Sequence, residues 1–126
     1  MIQNKNKKRA FDNREKGADT EQFACDYLQA KGLELIQRNF FSRYGEIDII
    51  MREGDTLIFV EVRYRNNNTF GGAAASVTPA KQQRIIKTAL AYQQRYAPQD
   101  GMRFDVIAVE GDRSKVEWVQ NAFSGF

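Results

Sequence analysis

Hydrophobic positions recur along this chain with two different periods, and the switch between them sets out its elements. From about Glu15 to Lys31 the spacing is helical: Ala18, Cys25 and Leu28 lie on one stripe with Ala24 beside it, and Gly32 stands at the C′ position. Glu21 falls on the same stripe, placing an acid on the face that a helix buries. Leu33 to Arg38 is a short apolar run of strand type. Gly45 to Arg65, GEIDIIMREGDTLIFVEVRYR, reads as two strands turning at Glu53-Gly54. A hydrophilic loop, NNNTFGGAAASVT (66–78), separates them from a second helix that runs from about Ala80 to Tyr96. Thr78 is its N-cap and Pro79 its N1 residue, and Ile85, Ile86, Ala89, Leu90 and Gln93 form its inner stripe. Arg103 to Val109 and Lys115 to Val119 alternate as strands around a Gly111-Asp112 turn. The order α-β-β-β-α-β-β predicts an α/β fold with a mixed central sheet flanked by helices. Residues 1–14 are polar and aperiodic, and predict a flexible basic arm ahead of a single domain over 15–126.

The strand pair contains acids where strands normally hold apolar residues. If Glu53-Gly54 is a two-residue loop, Arg52 pairs with Asp55, Asp48 lies opposite Phe59, and Glu46 lies opposite Glu61. Alternation then sends Glu46, Asp48, Glu61 and Arg63 to one side, with Asp48 and Glu61 diagonal neighbours roughly 7–8 Å apart. Converging carboxylates repel each other and resist burial unless a cation compensates. A divalent metal such as Mg²⁺ is one solution. An ion-pair network with Arg63 or Arg65 is the other.

Composition narrows the chemistry. The 126 residues include no histidine, which removes Ser-His and Cys-His nucleophile pairs, histidine bases and the usual zinc sites. Cys25 is the only cysteine, so no intramolecular disulfide can form, as suits a reducing cytoplasm. The N-terminus lacks the apolar stretch of a secretory signal, and no apolar run approaches the ~20 residues of a membrane helix. The formal charge of +3 is modest, but its sources are clustered. Lys5, Lys7, Lys8, Arg9, Arg14 and Lys16 form one set, and Lys81, Arg84, Lys87 and Arg95 another. Such clusters suit a polyanion, but composition alone favours a solvated tail and a solvated helix face.

The segments GEIDIIMREG, FVEVRYR, FGGAAASVTPAKQQRI and RFDVIAV, in that order between Lys16 and Phe123, resemble the YraN family of small bacterial proteins. GEIDII followed by FVEVRYR also resembles the PD-(D/E)xK signature of restriction-endonuclease-like nucleases. The resemblance implies a restriction-endonuclease-like three-layer core and a metal-dependent nuclease site, with DNA, including branched or damaged DNA, as the expected partner. Asp48 matches the first motif acid and Glu61 the second, and Glu21 resembles an acid that related nucleases carry on their first helix. Together, and with the Val62 carbonyl, they would hold Mg²⁺ or Mn²⁺. Arg63 occupies the position of the motif lysine. A guanidinium clamps phosphate well but stays protonated, so only the electrostatic half of the lysine's role carries over. Lys81 is the expected substitute, with Gln82 or Gln83 as polar positioners. Arg63, Arg65, Lys81, Gln82 and Arg84 are the expected substrate contacts.

Arg63 also motivates a second expectation, a nucleic-acid-binding module that keeps the fold without turnover. A third is a protein-interaction role for the aromatic residues Trp118, Phe123 and Phe126, for which a place in the core or in a homodimer is the stronger alternative.

Overall fold

The first helix, α1 (Lys5–Ala30), stops because Gly32 adopts a left-handed backbone with φ of 100°. Gly32 N–H then donates to Gln29 O at 3.0 Å and Leu33 N–H to Leu28 O at 3.1 Å, capping the last carbonyls as a Schellman motif does. Leu28 and Leu33 are both buried beside the cap, so the chain enters the sheet at a fixed angle. The computed structural model describes the backbone of residues 5–65 and 72–124, and side chains from residue 17 onward. α1 therefore begins well before the expected Glu15. The side chains of the basic cluster at its start, and residues 66–71 of the expected loop, lie outside the described residues.

Five strands follow: β1 (Glu34–Ser42), β2 (Gly45–Glu53), β3 (Thr56–Arg65), β4 (Gly101–Glu110) and β5 (Val116–Phe123). They lie in sequential order in one sheet. β3 and β4 are parallel, joined through α2 (Pro79–Tyr96), and the other neighbours are antiparallel. This is the α-β-β-β-α-β-β order and mixed sheet that the sequence predicts. α2 starts as expected, with Pro79 in its first turn and Thr78 Oγ1 accepting from Lys81 N–H at 3.2 Å.

Each helix covers one face of the sheet. Ala24, Cys25 and Leu28 of α1 pack with Ile49, Met51, Ile58, Val60 and Ile107. Ile85, Ile86, Ala89 and Tyr92 of α2 pack with Ile47, Ile50, Leu57, Phe59, Phe104 and Val106. Two stripe assignments change. Ala18 is exposed, and Tyr92 rather than Gln93 ends the buried stripe of α2. Of the aromatic residues near the C-terminus, Phe123 stacks on Phe104 at 5.2 Å and Trp118 packs against the α1-side core. Phe126 lies outside the described residues. Among the described residues, no helix is long and apolar enough to cross a membrane.

Candidate functional site

The β2–β3 hairpin turns one residue later than expected. Glu53 pairs with Thr56, leaving Gly54-Asp55 as the two-residue loop, with Gly54 at φ of 59°. The ladder then runs to Ile49↔Val60, a register that carries Asp48 across from Glu61 rather than Phe59. Beyond that pair Asp48 supplies the acceptor itself: Val62 N–H donates to Asp48 Oδ2 at 2.8 Å. Alternation is also broken here, since Ile47 and Ile50 share the α2-side core although three residues separate them. The expectation that Glu46, Asp48, Glu61 and Arg63 share one face is therefore corrected. The acids meet where the two strands part, approached from both helices.

From the α1 side, Glu21, Glu46 and Asp48 each offer a carboxylate oxygen, all within 4.8 Å of one another. Burial, with the charges of Glu61, Glu21 and Glu46 behind it, pushes the Asp48 carboxyl up to about 8 despite the Val62 hydrogen bond. Burial also raises Glu21, against the pull of Arg38, whose Nη2 stands 3.5 Å from Glu21 Oε1. From the α2 side, Lys81 Nζ lies 2.8 Å from Glu61 Oε1, and Arg63 Nη1 is 3.7 Å from the same oxygen. Glu61 is only 3% exposed, so a nearly buried carboxylate is held by two cations.

Glu21, Asp48, Glu61, Arg63 and Lys81, together with Tyr64, line one pocket of about 180 Å³, with Glu46 behind its wall rather than on it. The structure thus brings together five of the residues that the sequence singles out for metal binding or catalysis. The other expected substrate contacts lie elsewhere. Arg65 Nη1 is 3.9 Å from Glu117 Oε1, and Gln82 Nε2 donates to Val77 O at 3.0 Å. Arg84 is exposed on α2 beside Gly45. Strand alternation puts Glu46 beside these acids but assigns it no ligand role. Its membership of the carboxylate triad depends on how α1 docks, which strand periodicity does not show.

The donor set suits a hard divalent cation. Three carboxylates face one another and, among the described residues, the only ion pair made by any of them is that of Glu21 with Arg38. The raised Asp48 marks the charge that such an ion would offset. Glu61 is different, since Lys81 and Arg63 already balance it.

The description "Uncharacterised protein family UPF0102" attaches to a family model that matches residues 20–109, a span that contains every residue of the carboxylate and lysine cluster. The chain is 50% identical over 109 residues to a UPF0102 protein of Nitrosomonas europaea, covering 86% of this chain and 92% of the relative. A UPF0102 protein of Legionella pneumophila is 50% identical over 111 residues, covering 86% and 94%. One from Aeromonas hydrophila is 52% identical over 111 residues, covering 86% and 84%.

Proposed function

The chain belongs to protein family UPF0102, and on the chemistry of its pocket we propose that it is a metal-dependent nuclease that hydrolyses phosphodiester bonds, with DNA as its first substrate. The observation that carries this reading is the convergence of Glu21, Glu46 and Asp48 beside the Glu61–Lys81 pair. Glu21, Glu46 and Asp48 would hold Mg²⁺ or Mn²⁺. Such an ion supplies Lewis-acid polarisation of the phosphate and activation of water.

The chain's own groups divide the remaining work. Val62 N–H holds Asp48 Oδ2 at 2.8 Å, so the carboxylate is oriented by the strand backbone. Glu61 anchors Lys81 at the pocket wall, where an ammonium can hydrogen-bond a phosphate oxygen or an attacking water. Arg63 is suited to clamping a phosphate oxygen through its second nitrogen. Lys81 thus supplies the lysine that the strand itself lacks.

Calorimetric titration of Mn²⁺ into the protein tests this reading independently of turnover. One saturable site, lost in Glu46→Gln and in Asp48→Asn, is the expected outcome. Undetectable binding, or binding unchanged by both substitutions, contradicts it. The second reading, a nucleic-acid-binding module without turnover, draws on Arg63 at the motif position. It predicts metal-independent, salt-sensitive binding of DNA and no cleavage.

A further inference from the structure

A second concavity, of about 330 Å³, opens on the outer side of α2 and is walled by Tyr44, Lys87, Leu90, Ala91 and Gln94. Tyr44 stands in the β1–β2 turn, which is tied down at several points. Tyr44 N–H donates to Ser42 Oγ at 3.0 Å, and that hydroxyl bonds Thr88 Oγ1 of α2 at 3.0 Å. The backbone at Tyr44 is therefore held by the fold, and its hydroxyl accepts from Arg43 Nη2 at 2.6 Å. The Arg43 guanidinium lies 4.8 Å from the ring centre and the Lys87 ammonium 5.8 Å from it. Among the described residues, no carboxylate lines the groove. Among the described residues, the ion pairs involve none of Arg43, Arg84 and Lys87.

We infer that this groove is a subsite for a single-stranded segment of nucleic acid, in which an unstacked base lies against Tyr44 and Leu90 while Arg43, Arg84 and Lys87 follow the flanking phosphates. The inference rests on the reading of the carboxylate pocket as a nuclease site, and it adds the form of the substrate. Three features support it. An aromatic ring with an aliphatic floor offers a stacking surface to any base, whereas a duplex keeps its base faces inside the stack. These cations, outside any ion pair among the described residues, match a phosphate backbone. Lys81, Arg84 and Lys87 follow one another at three-residue steps, so the basic track leaves the pocket and winds about 120° around α2 while advancing roughly 9 Å along its axis to the groove. At a helix radius of about 6 Å that path is roughly 15 Å, about four to five nucleotides at about 3.4 Å per stacked step.

The test uses the full chain in EDTA, where cleavage cannot interfere. Affinity for a short fluorescein-labelled oligothymidylate, and for a duplex of equal length, is measured by anisotropy across a salt series. The single strand should bind more tightly than the duplex. Tyr44→Ala should weaken single-strand binding about tenfold, and Tyr44→Phe should restore it. Lys87→Ala, at an exposed position that carries little folding risk, should lower the slope of log affinity against log salt by about 0.7. Unchanged affinity in both Tyr44→Ala and Lys87→Ala, or equal dependence of duplex binding on Tyr44, overturns the inference. Binding that follows these expectations without any cleavage in Mn²⁺ leaves the groove standing and rejects the nuclease reading. Cleavage with binding insensitive to Tyr44 and Lys87 does the reverse.

Discussion

Lys81 Nζ stands 2.8 Å from Glu61 Oε1, joining the first turn of α2 to the middle of β3 across the floor of the pocket. Arg63, the nearer residue in sequence, holds the same oxygen at 3.7 Å. One carboxylate, 3% exposed, thus organises two cations of different chemistry. In the proposed reaction the lysine stabilises charge that develops at the phosphate and the arginine holds the substrate.

That division separates two variants. Lys81→Gln is expected to lower kcat by about a hundredfold with little change in KM, since it removes stabilisation realised mainly in the transition state. Arg63→Gln is expected chiefly to raise KM. Steady-state kinetics on a labelled DNA substrate checks both. A larger kcat loss for Arg63→Gln than for Lys81→Gln would reverse the assigned roles.

Asp48 sets a trade between stability and function. Its ordinary value of 3.8 is raised to about 8 by burial and by neighbouring acids, so the folded protein binds this proton more tightly than the unfolded chain does. The contribution is favourable at low pH and is lost as pH rises from about 4 to about 8. The metal-free melting temperature should fall across that window. Asp48→Asn should flatten the fall and stabilise the metal-free protein at pH 8 by on the order of 1 kcal/mol or more. The asparagine oxygen can still accept from Val62 N–H, so the comparison isolates the charge. Thermal melts of both proteins across the pH range, in EDTA, provide the check.

The same proton competes with the metal. Mn²⁺ affinity should therefore increase between pH 6 and pH 8, and the titration should release protons in that range. Calorimetry in two buffers of different ionisation enthalpy measures the release directly. A pH-independent affinity would mean that Asp48 is not a ligand.

Asp105 offers a contrast, as a buried acid already satisfied by protein groups. It is fully buried and accepts from Arg103 Nε and Nη2, Trp118 Nε1 and the Asn121 N–H, each at 2.9 Å. Asp105→Ala leaves the half-buried Arg103 guanidinium with only its 3.8 Å contact to Glu53, leaves the Trp118 Nε1–H and Asn121 N–H without their acceptor, and should cost about 3–5 kcal/mol of stability. Folded molecules of the variant should bind Mn²⁺ like the parent, because no atom of the carboxylate triad is touched. Denaturant unfolding alongside metal titration tests both halves.

Much of this was legible in the chain, and the remainder has identifiable causes. Helical spacing, period-two alternation and short apolar runs located all five strands and both helices: each helix buries one stripe, whereas β2, β3 and β4 are covered on both faces and read as near-continuous apolar runs. The Thr78 cap and the Gly32 stop were readable because they are local chemistry. The hairpin register was missed by one turn position, since Glu53-Gly54 and Gly54-Asp55 both present a glycine suited to a tight turn. The single-face arrangement of the acids failed at Asp48, where a side chain replaces a ladder acceptor and breaks the alternation. Glu46 was read as a neighbour of the other acids but not as a ligand, because its approach to Glu21 depends on the docking of α1. The long bridge from Lys81 to Glu61 could only be guessed, as it depends on how α2 returns across the sheet.

Strand scission of labelled single-stranded, duplex, flap and four-way DNAs in Mn²⁺ tests the central claim most directly, with EDTA and Asp48→Asn as controls. Cleavage of at least one substrate by the parent protein, abolished by either control, is the predicted result. No cleavage of any substrate, or cleavage that persists at the same rate in Asp48→Asn, would contradict it.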